Sequence, residues 1–127
     1  MKKVLLLFLI TLVSFSVISC ERLKQKGIEC REQITALEQA NKIDEERQKV
    51  FRASMRLFEV QADSLRRVQT KVFSQKKKDT IERQIDQLMQ KRSAANDSDL
   101  TIHRRLCHRD TLITDQKNNL LYKLFGK

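Results

Sequence analysis

Residues 37–51 read "LEQANKIDEERQKVF", and whether this stretch is straight or bent decides the fold. Upstream, Cys30, Ile34 and Leu37 lie at helical spacing and form a short apolar stripe. Downstream, Phe51, Met55, Phe58, Ala62, Leu65 and Val72 form a longer one at alternating three- and four-residue steps, and Val50, Leu57 and Val60 widen it beyond a strict seam. The two stripes read as out of phase, with Asn41 and Asp44 standing where the second would continue upstream. Either one long helix changes partners here, or "NKIDEE" is a bend with Asn41 or Asp44 as a cap.

Composition limits the alternatives. The 127 residues contain no proline and only two glycines, Gly27 and Gly126, so the residues that punctuate sheets and turns are nearly absent. Gln, Glu, Lys, Arg and Leu, which lose little rotamer freedom in a helix, predominate. The expected class is all-α: an elongated helical hairpin or a small antiparallel three- or four-helix bundle with coiled-coil-like segments. Breaks are expected at Gly27, at "SQKKKDT" (74–80), and at "SAANDSD" (93–99), where Asn, Asp and Ser compete for the backbone. Asp79 with Glu82 looks like a capping pair that restarts a helix with Ile81, Ile85 and Leu88 on its inner face. Ser98 or Asp99 would cap the last segment, with Ile102, Leu106, Ile113, Leu120 and Leu124 on one face.

The N-terminus has a different character. Lys2 and Lys3 precede an apolar run, Val4 to Ser19, which ends at Cys20 and gives way at once to "ERLKQK". That is the order of a secretory signal, and as a helix the run would cover only about 24 Å of a hydrocarbon core of roughly 30 Å. Val17-Ile18-Ser19-Cys20 resembles the lipobox of bacterial lipoproteins. The resemblance covers the leader and Cys20; it implies a lipid on the Cys20 sulfur and cleavage before it. It divides the chain into a signal peptide (1–19), a lipidated tether (20–27) and a helical domain (28–127). Processing would remove Lys2 and Lys3, lower the formal charge from +10 to +8 and leave 108 residues. Two or more acyl chains make attachment effectively stable. Because the residue after the cysteine is Glu21 and not Asp, sorting in that class points to the periplasmic face of the outer membrane rather than to the inner membrane.

Cys30 and Cys107 then remain as an even pair in an oxidising compartment, and a disulfide between them is expected. It would also decide the fold. In a plain hairpin Cys107 falls opposite residues around Arg47, too far from Cys30 to bond, so an internal bond requires the bend near Asn41. A small helical lipoprotein with such a bond is similar in arrangement to the pilotins of bacterial secretion systems, an analogy of architecture alone.

Chemistry is sparse. In "HRRLCHRD" (103–110), His103 and Cys107 are four apart on one face, a spacing that grips metal, but two ligands do not close a site. Carboxylate pairs such as Glu45 with Glu46, or Asp97 with Asp99, lack an apolar pocket that would raise their pKa values. No enzyme, cofactor or metal is expected. Positive charge carries more content: Lys76, Lys77 and Lys78 at a presumed tip, and Arg104, Arg105 and Arg109 in one segment, are candidate sites for a partner or a polyanion. Export removes nucleic acid as a target, and no aromatic residues are interleaved for stacking. The expected function is a membrane-anchored adaptor that docks an envelope protein. The alternative is a basic bundle that binds anionic lipid, lipopolysaccharide or a cell-wall polymer.

Overall fold

Residues 1–126 are described by a computed structural model, and they form three helices. α1 runs from Lys2 to Gln69, α2 from Gln75 to Asn118, and α3 from Leu120 to Phe125. α1 and α2 pack together as an all-α helical hairpin. The chain divides into two compact units, one of residues 1–40 with the residues from Arg109 onward, the other Asn41–His108.

The stretch at 37–51 is helical throughout. α1 is continuous through it, so of the two alternatives the cap at Asn41 or Asp44 does not form. Nor do the two stripes fall out of phase. From Leu37 through Asn41, Asp44 and Gln48 to Phe51 the steps are four, three, four and three, the spacing of a coiled-coil seam. What interrupts the stripe is polarity: Asn41, Asp44 and Gln48 are buried members of the same row.

In the unit of residues 41–108 the inner row of α1 continues through Met55, Phe58, the fully buried Ala62, and Leu65 to Gln69. α2 answers with Lys78, Ile81, Ile85, Leu88, Arg92, Ala95, Asp99 and Ile102, again at alternating three- and four-residue steps. Cross-links flank this seam: Gln69 Nε2 donates to the carbonyl of Lys78, Arg92 Nη2 lies 2.6 Å from Glu59 Oε1, and Arg52 Nε lies 3.2 Å from Asp99 Oδ1. The polar row is met in kind. Asp44, with a side chain only 3% exposed, lies 3.6 Å from both Arg47 and Arg105, and Gln48 Nε2 donates to the carbonyl of Asp99 at 3.5 Å.

Both expected breaks in this unit are displaced or absent. Arg66 and Arg67 stand in the last turn of α1, where cations suit the helix dipole, and the connection then closes with Lys71 N–H to the carbonyl of Val68 and Val72 N–H to that of Gln69. α2 starts at Gln75 rather than at Asp79, since Ser74 offers its carbonyl to the amides of Lys77 and Lys78. "SAANDSD" is helical throughout. Its residues could have served as caps, but Ala95 is buried in the seam, Asp99 is taken by Arg52, and Ser98 bonds back to the carbonyl of Ala94.

The other unit has its own small core, Cys30, Ile34 and Ile113, with Leu37 and Tyr122 packed against it. Each buried isoleucine contributes about 1.5 to 3 kcal/mol. Lys117 Nζ reaches Glu38 Oε1 at 2.8 Å. That hydrogen bond raises the Lys117 pKa, as the bond to Glu46 raises that of Lys49. A cation held this way contributes stability below its unfolded value of 10.5 and loses it as pH rises through the higher folded value, so neither lysine gives up its proton near neutrality.

Leu120 and Leu124 leave the inner face on which they were expected. Asn119 stops α2, and its side chain caps α3 by accepting from the Leu121 amide at 2.9 Å, which turns Tyr122 inward and leaves Leu120 and Leu124 exposed. Gly27, expected as a break, is instead a buried helical residue. A Cβ there would lie 2.6 Å from Phe125 Cβ and 2.9 Å from the Leu121 carbonyl. Gly27 is the point of closest approach between α1 and α3. Gly27→Ala should therefore push α3 off α1, at a cost of about 1 to 3 kcal/mol, read as faster amide exchange in residues 120–126 with little change in residues 41–108. The segment read as a lipidated tether, 20–27, is helical as well.

Candidate functional site

The first candidate position is Cys20, exposed on α1. Val4 to Ile18 before it are exposed, and α1 with this apolar stretch near its N-terminus is long and apolar enough to cross a membrane by length and composition. Its polar interruptions are satisfied internally. Thr11 bonds the carbonyl of Phe8, Ser14 that of Ile10 and Ser16 that of Leu12, each at 2.8 Å. Hydroxyls bonded to their own helix can enter an apolar phase at reduced cost.

The expected disulfide is not formed: Cys30 and Cys107 are both thiols. The Cys30 thiol is buried and donates to Gln116 Oε1 at 2.7 Å, while the Gln116 amide reaches Gln33 at 3.4 Å. Cys107 precedes Gln116 by nine residues of α2. That is about 13 Å of rise and two and a half turns, which places it on the opposite side of its helix. With α1 continuous through 37–51, the two cysteines stay apart as foreseen for a plain hairpin, and the pilotin-like arrangement loses its defining bond.

Cys107 is exposed, with its sulfur 3.7 Å from His103 Nε2. The four-residue spacing thus brings the pair together on one face. Among the described residues no group of three or more His, Cys, Asp and Glu is placed to hold a metal ion.

The two basic segments behave differently. Lys76 and Lys77 are exposed in the first turn of α2, where the positive end of the helix dipole adds to their charge, while Lys78 is half-buried. The three arginines differ in exposure and partners. Arg104 is exposed, Arg105 is directed at Asp44 and Arg109 is half-buried. A charge run in sequence cannot distinguish an outward residue from one that answers a buried acid.

Sequence reasoning placed one further feature wrongly. Val50, Leu57 and Val60 do not widen the inner seam; they are 63%, 55% and 66% exposed. With Ile43, 57% exposed, and Ala53 they form a second stripe on the outer side of α1. The signal was available as the seven-residue steps 43, 50 and 57. An open groove along Lys42, Ile43, Glu46, Arg47, Val50 and Phe51 marks its N-terminal part.

No family model, curated protein or solved structure matches the chain.

Proposed function

We propose that the chain is a non-enzymatic lipoprotein of the bacterial envelope whose helical hairpin docks a partner protein at a membrane surface, with the periplasmic face of the outer membrane as its site. The observation that carries this reading is the N-terminal order: Lys2 and Lys3, an exposed apolar helix segment with internally bonded hydroxyls, then Ser19-Cys20 and immediate charge. Lipid on Cys20 supplies location, and the exposed helical faces supply specificity. A hairpin with open grooves on its faces suits docking of another helix better than enclosure of a substrate.

The second reading, capture of an anionic glycolipid or cell-wall polymer, is favoured by Lys76 and Lys77 at the N-terminus of α2. It is weakened by the inward use of Arg105. Reversible crosslinking in cells, followed by detergent extraction and capture of the full chain, separates the two. The adaptor should retain one specific protein through a high-salt wash, with Lys76→Gln and Lys77→Gln together only lowering the yield. Loss of every protein in high salt, with an anionic glycolipid captured only at low salt, would favour the second reading.

A further inference from the structure

The outer stripe of α1 has no role in the hairpin. Residues 43, 50 and 57 and residues 53 and 60 lie about 160° round the helix from the inner seam, at roughly 100° per residue. Valine and isoleucine are poorer helix formers than the lysine, glutamate or glutamine expected at solvated positions, so neither propensity nor packing within the chain accounts for them. Single exposed aliphatics are ordinary; four exposed ones plus Ala53, in two rows at seven-residue steps, repeat the pattern by which one helix seats another.

We infer that the outer face of α1 from Ile43 to Val60 is a docking seam for an amphipathic helix of another protein that carries aliphatic residues at heptad spacing with acidic residues beside them. This rests on the adaptor reading and names the face and the partner chemistry. The flanks supply the argument. Lys42, Lys49 and Arg56 each precede one member of the row Ile43, Val50 and Leu57 and so run along one side of the stripe, while Arg47 stands on the other. Glu46 is the one carboxylate at the N-terminal end of the stripe itself, and it is bonded to Lys49 at 2.7 Å. Two copies of this face laid antiparallel would bring Lys42, Lys49 and Arg56 against the same row of the other copy, and laid parallel would set that row against Arg47, Ser54 and Gln61, so neither orientation offers the basic row an acidic flank. A partner with glutamate or aspartate in those positions would meet cations along the whole length.

The test uses the full chain in nanodiscs of zwitterionic lipid and fluorescent four-heptad peptides. Three peptides are compared: an aliphatic seam with glutamate flanks, the same seam with lysine flanks, and glutamate flanks around a serine seam. Anisotropy titrations should show the first binding at least about tenfold more tightly than either of the others, and weakening as salt rises. Val50→Glu with Leu57→Glu should abolish that binding while leaving the circular dichroism and melting curve of the hairpin unchanged, because both side chains are exposed. Equal binding of the acidic and basic peptides, equal binding of the serine-seam peptide, or undiminished binding by the double variant would each overturn the inference. So would a concentration-dependent dimer of the full chain that the double variant dissolves, since the occupant would then be a second copy. A chain that is lipidated and retains its envelope partner but fails the peptide test keeps the adaptor reading and loses this face. One that passes it while staying unprocessed in the cytosol does the reverse.

Discussion

Asp44→Leu is expected to make the hairpin more stable, by about 1 to 3 kcal/mol. Asp44 is a nearly buried carboxylate between the buried Asn41 and Gln48 in a row that is apolar on either side of them, and two arginines lie 3.6 Å from it. Taking a carboxylate out of water costs several kcal/mol, and replacing a buried ion pair by a well-packed apolar side chain is often neutral or stabilising. Leucine would fill the position, and the arginines would not be stranded, since the side chains of Arg47 and Arg105 are 61% and 48% exposed. In a helical domain of this size a gain of 1 kcal/mol raises the melting temperature by about 4 to 8 °C. The same change should loosen the choice of partner and register, which a buried polar residue in a seam enforces. Thermal melts and sedimentation velocity of the variant would show the two effects together. A lowered melting temperature would mean that the ion-pair geometry outweighs desolvation.

A larger change, all or none, is expected at Cys20. The membrane form of the wild-type chain should lack Met1 to Ser19 and carry acyl groups, whereas Cys20→Ser should retain Met1 and carry no lipid. Intact mass under non-reducing conditions is the decisive readout. Fractionation alone would mislead, because Val4 to Ile18 are apolar and exposed and would hold an uncleaved chain in a bilayer. The same spectrum reports Cys30 and Cys107, which should appear as two thiols. If wild type and variant differ only by sulfur for oxygen, lipidation is excluded.

Much of the hairpin was legible. The absence of proline, the scarcity of glycine and the three-and-four spacing after Phe51 required long helices, and the inner faces around Ile34, Ala62, Ile85 and Ile102 fall where periodicity placed them. What was hidden was continuity. Asn41 and Asp44 left a bend as open as a continuous helix because a polar residue in a seam and a polar residue in a turn are indistinguishable until the opposing helix is known. The same ambiguity misled at Asp99, a strong cap in isolation that is held mid-helix by Arg52. Gly27 was misread for a related reason: a missing Cβ signals a break locally, but here it admits the backbone of α3.

The candidate sites were less legible than the fold. Cys20 could be proposed from sequence alone because the resemblance to a lipobox is a local pattern. The basic segments were not, since Lys76 and Lys77 stay outward while Arg105 answers an acid sixty-one positions earlier. The outer stripe was visible as residues and misassigned as a face. Separating an inner from an outer heptad row requires knowing which row the hairpin itself consumes.

The contacts that flank the seam are graded in span along the hairpin. Gln69 and Lys78 are nine residues apart, Glu59 and Arg92 thirty-three, Arg52 and Asp99 forty-seven, and Cys30 and Gln116 eighty-six. Closure entropy grows with span, so pairing that begins at the 70–74 connection and travels outward meets the smallest obstacle at each step. A nascent chain would complete the seam beside its own N-terminal segment last. Clipping a few residues from its end would leave Gly27 uncovered a short way after Cys20, where proteolytic surveillance would find a frayed end on an otherwise finished molecule.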